Sequence, residues 1–117
     1  MTLHLASWHT APGYDNANFG GGIECEIAEG VALNAGAFRN SFGDATTYAT
    51  LSASIGAPLS VGVFAGVAPS GYRRNFWPMA GALVGYALSD RARVSVAISP
   101  TVDTSGAVAH AMLTIDL

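Results

Sequence analysis

The chain has 117 residues, a formal net charge of −3 and a hydrophobic fraction of 50%, but only 11% of its residues are charged. A soluble domain usually carries about 25% charged residues, so the outer surface either faces an apolar medium or is covered by small residues. One domain, residues 1–117, fits this length, and five arginines without a basic stripe exclude nucleic acid as an expected partner.

Apolar and polar residues alternate with a period of two along most of the chain, which predicts strands rather than helices. The segment 59–67 is the clearest case, with Leu59, Val61 and Val63 on one face and Ser60 and Gly62 on the other. The predicted strands are 2–9, 19–28, 31–40, 46–56, 59–68, 77–88, 92–99 and 107–117.

The connections between these strands alternate between long and short. In a meander, successive connections lie at opposite ends, so all long loops share one end, as in outer-membrane barrels. An even strand number also lets the first and last strands pair and close the sheet. The sequence therefore predicts an all-β fold, an eight-stranded antiparallel up-and-down (meander) β-barrel. The long loops are 10–18, 41–45, 69–76 and 100–106, and the short turns are 29–30, 57–58 and 89–91.

One face of the predicted strands is almost wholly apolar, and the other mixes glycine, hydroxyl residues and a few charges. Small polar residues suit a narrow lumen, so we expect the apolar face to point outward, toward a membrane. No segment reaches the roughly 18 apolar residues of a transmembrane helix. The expected outward residues are Val61, Val63, Val94 and Val96, and the expected inward residues are Ser60, Gly62 and Ser95.

Residues 1–10 lack the basic start and apolar run of a signal peptide. The expected localisation is therefore the outer membrane if the chain is exported, and the cytoplasm or a virion otherwise.

Polar residues concentrate at the end with the long loops, where His9, Asn40 and Ser41 come together in the predicted topology. A histidine beside a serine can accept the hydroxyl proton while an acyl group is attacked, and Asn40 can orient the imidazole or donate to an oxyanion. The alternative is that His9 is a strand-end residue and the other two are turn residues. Further rim candidates are Trp8, Tyr14, Asp15, Asn16, Asp44, Tyr72, Arg73, Arg74, Asn75, Phe76, Trp77 and Asp103.

The remaining ionisable residues suggest no cofactor. A single cysteine, Cys25, and three dispersed histidines argue against a metal site, so His4 and His110 are interpreted as structural. A charge inside the barrel requires a partner, and Arg93 is the candidate partner of Glu24 and Glu26. The alternative is that both glutamates lie in water.

Several segments, in order along most of the chain, resemble the lipid A palmitoyltransferase family of the Gram-negative outer membrane. They are SWH at 7–9, GGGIE at 20–24, AFRNSF at 37–42, PLSVGVFAGVAP at 58–69 and WPMAGALVGYAL at 77–88.

The resemblance implies an eight-stranded barrel that holds an acyl chain in its lumen and moves it from a phospholipid to lipid A. It places the catalytic histidine at His9 and the catalytic serine at Ser41, with Asn40 where the family has an aspartate. The family's amphipathic N-terminal helix has no counterpart here. These departures also fit a divergent relative, phage-encoded or repurposed.

Two functions follow from these observations. The first is an acyltransferase whose partner is a phospholipid or lipid A acyl chain. The second is a non-catalytic barrel, with a structural role in a membrane or phage particle or with a small apolar ligand.

Overall fold

The computed structural model describes residues 1–69, 76–100 and 106–117. Their secondary structure consists of eight β-strands, each within two residues of the boundaries that alternation predicts. The strands are β1 (Thr2–His9), β2 (Gly20–Ala28), β3 (Val31–Arg39), β4 (Ala45–Ile55), β5 (Leu59–Ala68), β6 (Trp77–Ser89), β7 (Ala92–Pro100) and β8 (Ala107–Ile115). No helix in the described parts of the chain is long and apolar enough to cross a membrane.

The strands form a closed barrel in chain order, β1 to β8, and every neighbouring pair is antiparallel. Closure is made by β1 and β8, whose register runs from Thr2 opposite Thr114 to His9 opposite Val108. The amino terminus of Met1 adds a hydrogen bond of 2.7 Å to the Ile115 carbonyl oxygen. The predicted eight-stranded meander is therefore confirmed. Its shortest seam is β1–β2, where pairing covers only Thr2 to His4.

Tight turns join the strands at one end of the barrel. In the β2–β3 turn, Gly30 has a φ of 70°, and an added Cβ there would collide with the Ser54 carbonyl oxygen. A glycine is required at this position because side chains are unfavourable at positive φ. The longer connections lie at the opposite end, including the loop 10–19 and the loop 40–44.

The apolar faces of the strands point out of the barrel, as expected. Val61 and Val63 are 51% and 62% exposed, whereas Ser95 on the inner face is 4% exposed. Four aromatic side chains are also exposed in or beside the long loops: Trp8, Phe19, Phe42 and Phe76. The molecule thus has an apolar outer wall with aromatic residues around one rim.

Candidate functional site

A β-bulge in β1 determines which residues of this strand face the lumen. The register with β8 shifts between His4 and Ala6, so that Leu5 is an extra residue in the ladder. Simple alternation from His4 would turn Trp8 inward, but Trp8 is 57% exposed. The bulge instead brings His4 and His9 to the same, inner face.

The loop 10–19 folds back over the start of the barrel and packs against the loop 40–44. The backbone N–H of Asp15 donates to the Ser41 carbonyl oxygen at 3.1 Å, and that of Ser7 donates to the Asn16 carbonyl oxygen at 3.0 Å. The Asp15 carboxylate forms an ion pair with Arg39 at 3.3 Å. These contacts fix the loop 10–19 to β1, to β3 and to the loop 40–44 at the mouth of the lumen.

Ser41, His9 and Asn16 form a hydrogen-bonded series at this loop contact. Ser41 Oγ lies 2.7 Å from His9 Nε2, and His9 Nδ1 lies 3.1 Å from Asn16 Oδ1. An amide oxygen only accepts, so Nδ1–H donates to Asn16, and Nε2 is left to accept the proton of the Ser41 hydroxyl. This arrangement has the donor order of a serine–histidine pair with an orienting third residue.

Asn40 was expected beside His9, but its side chain bonds to Thr46 and to the backbone of its own loop instead. Its amide nitrogen donates to Thr46 Oγ1 at 2.9 Å, and its oxygen accepts from the backbone N–H groups of Phe42 and Asp44 at 2.9 and 3.1 Å. The expected orienting position at His9 is occupied by Asn16. Neighbouring residues in a turn point in different directions, so adjacency to Ser41 did not bring Asn40 to the imidazole. Whether His9, Asn40 or Ser41 takes part in catalysis stays a prediction.

An aromatic side chain covers the imidazole of His9. The ring of Tyr14 stacks on it with centroids 4.7 Å apart and an interplanar angle of 18°. Phe42 contacts Tyr14 edge-on at 5.7 Å. The stack limits the ring positions available to His9 and shields one of its faces from solvent.

Below this series the barrel encloses a cavity of about 350 Å³, lined at its mouth by His9, Ser41, Tyr14 and Phe42. This volume lies in the range of small-molecule sites, roughly 300–1,000 Å³. The two sides of the cavity differ in chemistry. The β5–β6 side is apolar, with Phe64, Trp77, Met79 and Leu83, whereas the β1–β4 side carries mostly polar residues, among them His4, Asn34, Tyr48, Thr50 and Ser52.

His4 joins two polar side chains part-way down the lumen. Its Nδ1 lies 2.8 Å from Nε2 of His110, and its Nε2 lies 2.8 Å from the hydroxyl oxygen of Tyr48. Phe38 packs against both imidazoles, with centroid distances of 5.2 and 5.4 Å. Both histidines were interpreted as structural from the sequence. Their mutual hydrogen bond is consistent with this, because it satisfies polar atoms that are removed from water inside the lumen.

Arg93 and Glu24 form an ion pair across the lumen, between strands that are not neighbours in the sheet. One guanidinium nitrogen lies 2.7 and 2.9 Å from the two carboxylate oxygens. Of the two predicted partners of Arg93, the structure thus selects Glu24, and Glu26 is exposed near the short-turn end. The pair neutralises two charges that would otherwise be costly inside the barrel.

The described residues place no group of three or more His, Cys, Asp or Glu side chains where it could hold a metal ion. Five rim candidates from the sequence lie outside the described residues: Tyr72, Arg73, Arg74, Asn75 and Asp103.

Comparison with known proteins identifies the architecture. No family model matches the chain, and neither does any curated protein. A solved structure titled "De novo design of transmembrane beta-barrels" matches with a TM-score of 0.71, over 97% of this chain and 92% of that chain. The chain has the fold of that designed barrel. Because the two sequences are 18% identical, the match concerns the fold alone.

Proposed function

We propose that the chain is a membrane-spanning acyltransferase that takes an acyl chain from a phospholipid into its lumen and transfers it to a hydroxyl group of lipid A. The observation that carries this proposal is the series Ser41–His9–Asn16 at the mouth of the lumen cavity. The proposed acyl donor and acyl acceptor are those implied by the resemblance of the sequence to lipid A palmitoyltransferases.

The reaction uses Ser41 as the nucleophile and His9 as the base. Ser41 Oγ attacks the carbonyl carbon of the phospholipid ester while His9 Nε2 takes the hydroxyl proton. The bond from that carbon to the glycerol oxygen then breaks, and His9 returns the proton to this leaving oxygen. An acceptor hydroxyl next attacks the acyl-Ser41 ester, with its proton passing through His9, and Ser41 is regenerated.

Asn16 has a positioning role in this scheme. By accepting from Nδ1–H, its amide oxygen favours the tautomer whose Nε2 lone pair faces Ser41. It brings no negative charge to stabilise the imidazolium, so the rate is expected to be lower than with a carboxylate at this position.

The outer surface supports insertion into a membrane. Monomeric soluble proteins rarely expose large continuous apolar patches, yet several leucine, isoleucine and valine side chains on the outer wall are exposed by half or more, among them Ile23, Leu33, Val63 and Leu88. The longest dimension is 37 Å, which exceeds the roughly 25 Å apolar band of outer-membrane barrels. Exposed aromatic residues at the long-loop rim suit the membrane–water interface.

The lumen supports acyl-chain binding next to the reacting groups. The cavity begins at His9 and Ser41 and continues along the apolar β5–β6 side. An ester bond at the rim would therefore place its hydrocarbon chain beside Phe64, Met79 and Leu83, where apolar contact is favourable.

The test is a transfer assay with purified protein in detergent, phospholipid labelled in its acyl chain, and lipid A. Labelled lipid A should form with the native protein and not with Ser41→Ala. Ser54→Ala, near the short-turn end, serves as the matched control and should retain activity. Without lipid A, mass spectrometry should detect an acyl group on Ser41. If neither acyl-Ser41 nor labelled lipid A forms, the barrel is non-catalytic, and its role is structural or that of an apolar-ligand binder.

A further inference from the structure

We propose that the lumen contains a second, polar subsite at Ser95, and that it binds an uncharged hydrogen-bonding group in the distal part of the acyl chain. The substrate class is then a hydroxylated acyl chain rather than a plain one. This inference rests on the lumen binding of the proposed function and specifies its ligand.

The hydroxyl of Ser95 is the unusual feature of the inner wall. Ser95 lines the cavity and is 4% exposed, and its Oγ has no hydrogen-bond partner among the described residues. Most buried polar side-chain atoms in folded proteins have a partner, since leaving one unpaired is costly. The Ser95 hydroxyl is thus a hydrogen-bonding group in the cavity wall that the described residues leave unpaired.

A glycine faces Ser95 across the sheet, so no side chain at the paired position of β6 covers the Ser95 hydroxyl. Gly85 pairs with Ser95 in the β6–β7 ladder. A Cβ placed on Gly85 would lie 2.7 Å from Ser60 Oγ, 3.3 Å from Ser95 Oγ and 3.2 Å from Cδ of Arg93. A side chain at Gly85 would thus crowd two hydroxyl groups and the stem of Arg93.

The charge of this region indicates what kind of group binds. Arg93 contacts both carboxylate oxygens of Glu24, so the ion pair brings no net charge to the subsite. A charged ligand group would lose its hydration without gaining an opposite charge. The Ser95 hydroxyl can donate one hydrogen bond and accept others, which matches a hydroxyl group of the ligand.

The strand register gives the depth of the subsite. His9 pairs with Val108, which also pairs with Ser99, whereas Ser95 pairs with Met112. Four residues of β8 separate Val108 from Met112, or about 13 Å at the rise of an antiparallel strand. A chain esterified at the rim must therefore carry its hydroxyl far from the carbonyl carbon to reach Ser95.

The experiment measures binding to the purified barrel in detergent by calorimetry with three fatty acids of equal length. They are octadecanoate, a hydroxyoctadecanoate with its hydroxyl beyond mid-chain, and the isomer with the hydroxyl next to the carboxyl group. The native protein should bind the distal isomer about tenfold more tightly than the other two, because it alone pairs with the buried hydroxyl.

Three variants make the result specific. Ser95→Ala should remove the preference while binding octadecanoate as before, and Ser99→Ala, on the same strand and face but level with His9, should keep it. Gly85→Ala retains the Ser95 hydroxyl but places a methyl group against the oxygens of Ser60 and Ser95, and it should also remove the preference. Heat-modifiable migration on gels checks that each variant is folded.

A preference absent from the native protein, or unchanged in Ser95→Ala, overturns the subsite while leaving acyl binding and transfer intact. If octadecanoate and both isomers all fail to bind, lumen binding itself is wrong and the subsite falls with it. Transfer to lipid A from a phospholipid with plain acyl chains tests the proposed function separately.

Discussion

The Asn16 side chain contacts the ring nitrogen of His9 that faces away from Ser41, at 3.1 Å. His9 ends β1 and Asn16 lies seven residues later in the loop 10–19, and this contact sets the tautomer of the imidazole. The residue that orients His9 is thus an uncharged amide, and its charge can be changed without altering its shape.

Asn16→Asp should raise the rate of acyl transfer by about tenfold, because a carboxylate stabilises the imidazolium formed when Ser41 loses its proton. The rate is measured with labelled phospholipid and lipid A under single-turnover conditions. Asn16→Ala is the matched control and should lower the rate. Equal rates for the aspartate and alanine variants would contradict an orienting role for this residue.

Asn40→Asp should give no such gain, although its sequence position suggested one. The amide nitrogen of Asn40 donates to Thr46 Oγ1, whereas a carboxylate oxygen only accepts, so the Thr46 hydroxyl would have to turn round to keep this bond. We expect a loss of about 1 kcal/mol in the free energy of unfolding, measured by urea titration in detergent. A rate increase in Asn40→Asp that matches Asn16→Asp would show that the loop contacts differ from those described.

Arg93→Ala should destabilise the barrel because it leaves the Glu24 carboxylate without its partner. Breaking a fully buried pair costs about 3–5 kcal/mol, and we expect about 1–3 here, because the side chains of Arg93 and Glu24 remain 35% and 20% exposed. The measurement is urea-induced unfolding in lipid vesicles. Combining Arg93→Ala with Glu24→Gln should recover part of the loss, and additive losses would argue against coupling between the two residues.

Val63→Arg tests the orientation of the wall toward a membrane. Val63 is 62% exposed in the middle of β5, and an arginine at the bilayer midplane costs about 2–4 kcal/mol. Unfolding from lipid vesicles gives this value, with Glu29→Arg in the exposed β2–β3 turn as a control that should change little. A monodisperse monomer on gel filtration without detergent would oppose membrane insertion.

The strand pattern of this barrel follows directly from its sequence. Alternation is a local signal, and in β5 the outward valines and inward glycines share a single period from Leu59 to Ala68. Closure was also predictable, because an even number of strands with alternating loop lengths brings β1 beside β8. The predicted face orientation was correct for the same reason.

The candidate site was only partly predictable. His9 and Ser41 lie at the same rim because topology places them there, but the role of Asn16 depends on how the loop 10–19 packs onto the loop 40–44. Backbone hydrogen bonds such as Asp15 N–H to the Ser41 carbonyl stabilise that packing. Any residue type can form them, so the sequence does not predict them. The bulge at Leu5, which turns His9 inward, likewise has no glycine or proline to signal it.

The loop contact that joins His9 to Ser41 links two different hairpins, β1–β2 and β3–β4. Neither hairpin alone contains both groups, and His9 itself pairs with Val108 of β8, so the nucleophile meets its base only when β1 lies in place against β8. Reactivity of Ser41 toward an acylating reagent would therefore report on closure of the barrel during refolding. Hydrogen exchange of the β1–β8 amides would time the same closure independently, and the two signals should develop together.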